Sequence, residues 1–276
     1  MKFRAWLAVV LVISMASAAA AQFGGRRFGF GPRGAPPRLP TADTFGHGFN
    51  FCRGVYRSSR GEAGGQGWST DYPDAELNFS IRLSELTKVR VARDAAGRPD
   101  HVTVRLTDEA LFQCPYLHME DVGTITLNDP ERIALRAYLL KGGFIWVDDF
   151  WGSYAWDTWV QALSTVLPPP EFTVVDVPLD HPIFRAQFQV KEFPQIPSIQ
   201  SWRRNPYETS ERGADSAVPA ARAIADRHGN IMVFMTHNTD ISDAWEREGE
   251  DPRYFFQISP YGYAVGINVM LYSMTH

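Results

Sequence analysis

The chain has 276 residues, of which 45% are hydrophobic and 21% are charged, and its formal net charge is −4 at pH 7. This composition is typical of a globular protein, and the length allows one large domain or two small ones. An acidic chain without a basic run argues against nucleic acid and against anionic membrane surfaces as partners.

Residues 1–21 have the composition of a secretory signal peptide. Lys2 and Arg4 precede an apolar run from Ala5 to Met15, and small residues follow up to Ala21. The pattern predicts cleavage after Ala21 and export to the periplasm or the extracellular space. An uncleaved membrane anchor is the alternative, although the apolar run is short for a bilayer span.

Residues 22–47 are rich in Gly, Pro and Arg and show no apolar periodicity, which predicts a flexible tether. From residue 48 onward, apolar patterns predict alternating strands and helices. Strands are predicted at 49–56, 101–106, 115–119 and 144–147, and helices at 74–86, 128–143 and 153–167. Asp74 and Asp129 are the predicted N-caps of the first two helices.

The second half of the chain continues with shorter elements. Strands are predicted at 172–177, 186–190 and 198–204, a hairpin at 220–237 and a final helix at 261–274. The continuous apolar run "FIWV" (144–147) indicates an interior strand of a parallel sheet. The predicted fold class is therefore α/β, with three layers, a mostly parallel central sheet and an antiparallel hairpin near 220–237.

The two cysteines, Cys52 and Cys114, leave two interpretations open. They could form a disulfide in an oxidising compartment, and two buried free thiols fit the sequence as well. No Gly-x-Ser-x-Gly or Gly-x-Cys-x-Gly motif follows any predicted strand, so a serine or thiol nucleophile at a sharp strand-to-helix turn is not predicted.

Polar residues follow four of the predicted strands. In an open α/β sheet, ligands bind beyond the carboxyl ends of the strands, so these side chains predict a pocket at that edge. The predicted pocket residues are Asp71, His118, Asp148, Asp149, His237, Asn238, Asp240 and Asp243.

Each of these residues also has a structural interpretation. Asp149 could cap the helix that begins near Gly152, His118 could be a hydrogen-bonded core histidine, and Asp240 could cap the turn after His237. The set as a whole favours a pocket more than any member does alone.

Two chemistries fit the pocket. A divalent metal site could use His237, Asp240 and Asp243, with Asp148 as a further ligand. Paired carboxylates could instead catalyse hydrolysis. Because adjacent residues of a strand point in opposite directions, Asp148 and Asp149 would not form such a pair, and one of them would have to act with Asp71 or Asp240.

Six motifs in a fixed order resemble those of a known bacterial family. They are "GWSTDYPDAELN" (67–78), "FQCPYLHM" (112–119), "LRAYLLKGGFIWVDDFWG" (135–152), "LDHPIF" (179–184), "VFMTHNTDISDAWE" (233–246) and "YAVGINVMLYSMTH" (263–276). Together they resemble the family catalogued as domain of unknown function 4159, over residues 48–276. The resemblance implies a flavodoxin-like fold of the class I glutamine amidotransferase-like type.

The resemblance does not extend to glutamine hydrolysis, because the cysteine elbow of that chemistry is missing. We expect a non-catalytic ligand-binding or scaffold domain that takes a small molecule or a carbohydrate. The alternative is a carboxylate- or metal-dependent hydrolase acting on a sugar or cell-envelope substrate. A bound divalent metal would favour the hydrolase, its absence would favour the ligand-binding or structural domain, and the sequence leaves the oligomeric state open.

Overall fold

The computed structural model describes residues 35–276. The predicted signal peptide and the first part of the predicted tether lie outside the described residues. Within this range there are nine strands: β1 Phe51–Val55, β2 Arg57–Ser58, β3 His101–Arg105, β4 Tyr116–Glu120, β5 Ile125–Thr126, β6 Phe144–Phe150, β7 Val175–Asp176, β8 Ala220–Ala225 and β9 Ile231–His237.

Seven helices accompany these strands in the described residues. They are α1 Asp74–Leu86, α2 Asp129–Leu140, α3 Gly152–Ser164, α4 Ile199–Arg204, α5 Asp243–Glu246, α6 Pro252–Gln257 and α7 Ser259–Ser273. Short 3₁₀ turns occupy Glu109–Gln113, Val122–Thr124, Pro182–Phe184 and Gly213–Ser216. None of the helices within residues 35–276 is long and apolar enough to cross a membrane.

The central sheet has seven strands in the order β3-β1-β4-β6-β9-β8-β7. The five strands from β3 to β9 run parallel to one another, and β8 and β7 continue antiparallel. A separate two-stranded antiparallel sheet joins β2 and β5. The predicted α/β class, the mostly parallel sheet and the hairpin near 220–237 are confirmed.

Apolar side chains pack on both faces of the sheet, and β6 shows how one strand serves both. Ile145 and Val147 belong to one core cluster, whereas Phe144 and Trp146 belong to the other. The first cluster includes residues of α2 and α3, and the second includes residues of α1 and α7. Because side chains alternate along a strand, a continuous apolar run is needed where helices cover both faces.

The N-cap of helix α2 lies one residue before the predicted one. Asn128 occupies that position: its side chain accepts a hydrogen bond from Glu131 N at 2.9 Å, and the Glu131 side chain accepts one from Asn128 N at 2.7 Å. This reciprocal pair is a capping box, so the prediction of Asp129 as the cap is wrong. The Asp74 prediction is also wrong, because Asp74 is already helical and α1 has no side-chain cap.

Two short apolar stretches do not form the predicted strands. Residues 198–204 form helix α4, whose first turn is capped by the Ser198 side chain. Residues 186–190 contain no strand, because Asn268 Oδ1 on α7 accepts hydrogen bonds from the backbone amides of Gln187 and Phe188, each at 2.8 Å. In residues 186–190, hydrogen bonds to a side chain replace the strand-to-strand hydrogen bonds that a strand would need.

A disulfide and two hydrogen bonds link segments of the chain that are distant in sequence. Cys52 on β1 and Cys114 just before β4 form a disulfide, which decides between the two interpretations of the cysteines. Part of the predicted tether contacts the domain, because Arg38 O accepts a hydrogen bond from Thr103 N at 2.8 Å. The Tyr72 hydroxyl also bonds to Pro36 O at 3.3 Å.

Candidate functional site

Four non-glycine residues with positive φ lie at the carboxyl edge of the sheet. They are Asp71 (φ 61°), Asp121 (48°), Asp149 (50°) and Asn238 (61°). Asp and Asn are the residue types that adopt this left-handed conformation most readily, because their short polar side chains bond to nearby backbone. Such residues cluster at functional sites, and three of the four belong to the predicted pocket.

Strand β6 carries a bulge between Val147 and Phe150. Val147 pairs with Met235 and Phe150 with His237, so β6 has one residue more than β9 over this stretch. A bulge changes the direction of the side chains that follow it. As a result Asp148 and Asp149 both interact electrostatically with Asp240, and each raises its pKa. Their hydrogen-bond partners still differ, because Asp148 bonds to Ser242 N and Asp149 to Trp151 Nε1, and the prediction that the two do not form a catalytic pair stays a prediction.

The innermost acids form a hydrogen-bond network with His118, in which Glu120 Oε2 is buried without a partner among residues 35–276. We call His118, Glu120 and Asp148 the inner group; their side chains are fully buried, and one ligand atom of each lies within 4.8 Å of the others. His118 bonds to the Tyr116 hydroxyl at 3.0 Å and to Glu120 Oε1. Asp148 contacts Thr236 Oγ1 through Oδ1 and accepts a hydrogen bond from Ser242 N at 3.0 Å through Oδ2.

A buried arginine compensates part of this charge. Arg53 on β1 pairs with Glu76 of α1 at 2.5 Å and with Glu120 at 3.5 Å, and all three side chains are inaccessible to solvent. Burial alone would raise the pKa of Glu120, but the adjacent His118 and Arg53 lower it overall. Burial and the charge of Glu120 raise the pKa of Asp148. Both ring nitrogens of His118 are engaged, as expected for a hydrogen-bonded core histidine.

A second set of acids lies beside the inner group. We call Asp71, Asp240 and Asp243 the outer group; each offers a carboxylate oxygen within 4.8 Å of the other two. Asp71 lies just before α1, Asp240 follows β9 and Asp243 begins α5. All three are buried, with between 3% and 8% of their surface exposed.

Backbone amides and one tyrosine hold the outer group in place. Asp240 Oδ1 accepts a hydrogen bond from Asp243 N at 2.8 Å. Asp243 Oδ2 accepts one from Ile199 N at 2.7 Å and another from the Tyr254 hydroxyl at 3.0 Å. These bonds engage one oxygen of Asp240 and one oxygen of Asp243, and they fix the direction of the second oxygen of each. Asp71 differs, because its Oδ2 is buried and has no hydrogen-bond partner among residues 35–276.

Arg247 brings positive charge to the outer group, with its Nε 3.7 Å from Asp243 Oδ1, but it does not cancel the effect of burial on the pKa values of the three acids. Burial raises the pKa of Asp71, and the charges of Glu120 and Asp243 raise it further. Burial also raises the pKa of Asp240, with added repulsion from Asp149 and Asp71. The pKa of Asp243 rises to about 6 through burial, although Arg247 opposes the shift. Carboxylates in this position favour either protons or a bound cation.

The remaining predicted residues surround the outer group or lie apart from it. Asp149 is half-buried, and its Oδ1 accepts a hydrogen bond from Trp151 Nε1 at 2.8 Å, so it does not cap α3. Asn238 bonds to Gly152 N at 2.8 Å and to Val218 O at 2.9 Å, which fixes the turn after β9.

His237 is committed elsewhere. Its Nε2 donates to Gly152 O at 3.0 Å, and its Nδ1 lies 3.4 Å from Arg222 Nη1. With both nitrogens engaged, the ring is not placed to bind a metal beside Asp240. The structure thus replaces the predicted set of His237, Asp240 and Asp243 by one in which Asp71 takes the place of the histidine.

Sequence patterns did not indicate three important participants. Arg53 lies inside an apolar strand, Glu76 lies on a helix, and Tyr254 lies on α6, the helix that follows the one on which Asp243 lies. A charged residue within an apolar strand pattern, as in "FCRGV", is a signal that could have pointed to Arg53, because buried charges need partners.

The comparison with protein families agrees with the motif pattern. The family model described as Domain of unknown function (DUF4159) matches residues 58–274. The chain belongs to this family. None of the curated proteins matches it. The matched range contains both the inner and the outer group.

Proposed function

We propose that this DUF4159 domain binds a divalent cation, Ca²⁺ or Mg²⁺, through the outer group of Asp71, Asp240 and Asp243. Hard cations of this kind prefer carboxylate oxygens, whereas the outer group offers no sulfur or imidazole ligand. A bound cation would offset the repulsion that raises the pKa values of these three acids.

One observation supports this function most strongly. Asp71 Oδ2 is buried beside two further carboxylates and has no hydrogen-bond partner among residues 35–276. An unpaired buried polar atom costs about 1–3 kcal/mol, so such atoms are rare unless a ligand, water or ion completes them. A cation between the three carboxylates would give Asp71 Oδ2 a partner and would also offset the local negative charge.

We propose that the cation takes part in binding a ligand. We also propose that the fold is of the glutamine amidotransferase-like type. The strand order and the site at the carboxyl edge of β6 support that fold type. Both cysteines are engaged in a disulfide, which leaves no free thiol for amidotransferase chemistry. The domain would then hold a small molecule or a carbohydrate through the cation.

Metal-dependent hydrolysis is the second candidate, and the position of Asp149 favours it. Asp149 is the half-buried acid beside the outer group, and burial together with the charge of Asp71 raises its pKa. A carboxylate with a raised pKa next to a cation can accept a proton from an attacking water.

We also propose that the protein is exported. Residues 1–21 support this through their signal-like composition. The disulfide between Cys52 and Cys114 supports it independently, because such bonds persist mainly in oxidising compartments.

The cation can be tested by measuring metal content and thermal unfolding of the purified protein with and without a chelator. We expect one Ca²⁺ or Mg²⁺ per chain and a lower melting temperature after chelation. A cation at 100 times its dissociation constant should add about 2.7 kcal/mol to the free energy of unfolding.

The matched variants are Asp240→Asn, which removes one outer carboxylate, and Asp176→Asn, which alters an acid with 85% of its side chain exposed. Calorimetric titration with CaCl₂ and MgCl₂ should show binding to the wild type and to the Asp176 variant, and none to the Asp240 variant. Equal binding by all three proteins, or by none of them, would refute the outer group as the cation site.

A further inference from the structure

A separate cavity lies between the irregular segment 189–196 and helices α6 and α7. Its volume is about 620 Å³, which is in the range of small-molecule sites. Its apolar lining comes from Val190, Phe193, Pro194, Ile196, Pro219, Ile258, Tyr261 and Ala264. The Tyr261 ring is 61% exposed beside this apolar lining, although a large aromatic side chain gains most when it is covered.

The walls of the cavity are fixed by interactions outside it. Phe193 packs edge-to-face against Phe184, with 5.8 Å between the ring centroids. The Gln195 amide donates to Ser216 O at 2.7 Å and to Asn238 O at 3.0 Å, and its oxygen accepts from Thr209 Oγ1 at 2.7 Å. Because these contacts hold the segment without a ligand, the cavity is preformed, which lowers the entropic cost of binding.

Two opposite charges lie side by side at the rim. Lys191 and Glu192 both line the cavity and are both exposed. Neither side chain has a hydrogen-bond or ion-pair partner within residues 35–276. One cation and one anion next to an apolar floor complement a molecule that carries both charges and an apolar body.

We propose that this cavity is a second ligand site, for a zwitterion with an apolar side chain of the apolar α-amino acid class. Lys191 meets the carboxylate, Glu192 meets the ammonium group, and the side chain enters between Phe193 and Tyr261. The site is distinct from the outer group. The segment that ends at Ile196 separates the two, and Ile196 O accepts a hydrogen bond from Asp240 N at 2.9 Å on the far side.

The test is ligand-observed saturation-transfer NMR on the full protein with L-phenylalanine as the probe. Three analogues each lack one feature: 3-phenylpropionate lacks the ammonium group, phenethylamine lacks the carboxylate, and glycine lacks the side chain. We expect transfer to the ring protons of L-phenylalanine, weaker transfer to the two phenyl analogues and none to glycine. An absence of transfer to L-phenylalanine overturns the proposal.

Variants assign the binding to this cavity. Lys191→Gln and Glu192→Gln should each weaken L-phenylalanine binding by about fivefold, as expected for exposed charge pairs. Ala264→Leu fills the lining from α7 and should abolish binding. Lys88→Gln, an exposed lysine outside the cavity lining, is the matched control and should bind as the wild type does. Unchanged binding in the two rim variants and in the Ala264 variant overturns the assignment. Because none of these residues belongs to the outer group, the result is independent of cation binding.

Discussion

The inner and outer groups are adjacent sets of buried polar side chains that differ in how their carboxylates are bonded. In the inner group, Glu120 Oε1 bonds to His118 and Ser242 and lies 3.5 Å from Arg53, and both Asp148 oxygens have partners, whereas Glu120 Oε2 has none in residues 35–276. In the outer group, backbone amides hold Asp240 and Asp243, the three acids repel one another, and Asp71 Oδ2 has no partner in the described chain.

This difference gives the two groups different expected roles. A buried network with compensating charge stabilises one conformation, whereas buried acids that repel one another cost free energy until something binds. Residue type alone does not distinguish the two groups, because both consist mainly of carboxylates. The contacts of Glu120 with Arg53 and His118 distinguish the inner group.

The largest expected effect comes from breaking the inner network at Arg53. Arg53→Met keeps much of the side-chain volume but leaves Glu76 and Glu120 buried without a cation. Breaking a buried ion pair in this way typically lowers the free energy of unfolding by about 3–5 kcal/mol, which denaturant unfolding would measure.

Arg98→Gln is the matched control, because Arg98 also pairs with an acid, Asp94, but is 71% exposed. Its loss should change the free energy of unfolding by about 1 kcal/mol or less. If both variants lost the same amount, the inner network would not be the supporting element that its hydrogen bonds indicate.

The next effect concerns His237, whose two ring nitrogens both have partners within the protein. Burial lowers its pKa from 6.5 to about 4. The unfolded chain therefore takes up a proton at a higher pH than the folded protein. The stabilising contribution is fully present above pH 6.5 and is lost as the pH falls toward 4, by up to about 3 kcal/mol.

Denaturant unfolding between pH 7 and pH 4 checks this effect. His237→Gln retains a donor for Gly152 O and removes the titrating ring, so its stability should depend less on pH in this interval. A variant with the same pH dependence as the wild type would show that His237 does not titrate as its burial implies.

The smallest expected effects compare one acid from each group in cation-free buffer. Asp148→Ala leaves Ser242 N and Thr236 Oγ1 without their partner and should lower the free energy of unfolding by about 1–3 kcal/mol. Asp71→Asn tolerates the positive φ and removes a charge that Glu120 and Asp243 repel, so stability should be unchanged or higher.

Adding Ca²⁺ should stabilise the wild type and the Asp148 variant, which keep the outer group, and should leave the Asp71 variant unchanged. Thermal unfolding of the three proteins with and without CaCl₂ measures both conditions. A strong loss of stability in the cation-free Asp71 variant would contradict the distinction between the two groups.

Much of the fold was predictable from local sequence patterns. The run "FIWV" indicated the buried strand β6, and the apolar stripes of α2 and α3 indicated the helices that cover it. These elements have strong periodicity over enough residues to be unambiguous. The short stretch 198–204 was predicted as a strand and is a helix, because six or seven mixed residues fit either period.

The site was predictable in position but not in pairing. Parallel strands bring their carboxyl ends to one edge, so Asp71, Asp148 and Asp240 could be placed there from the sequence. Their division into two groups depends on the bulge in β6 and on partners such as Arg53 and Tyr254 from other elements. Neither a bulge nor a contact between distant segments leaves a local pattern in one sequence.

The disulfide between Cys52 and Cys114 has a consequence for the assembly of the proposed cation site. The bond closes a covalent ring with a sequence separation of 62 residues, and Asp71 lies inside this ring while Asp240 and Asp243 lie outside it. Loop closure of this length restricts the unfolded chain by about 4 kcal/mol in the chain-entropy model. Formation of this disulfide therefore lowers the entropic cost of bringing Asp71 to Asp240 and Asp243, which follow β9.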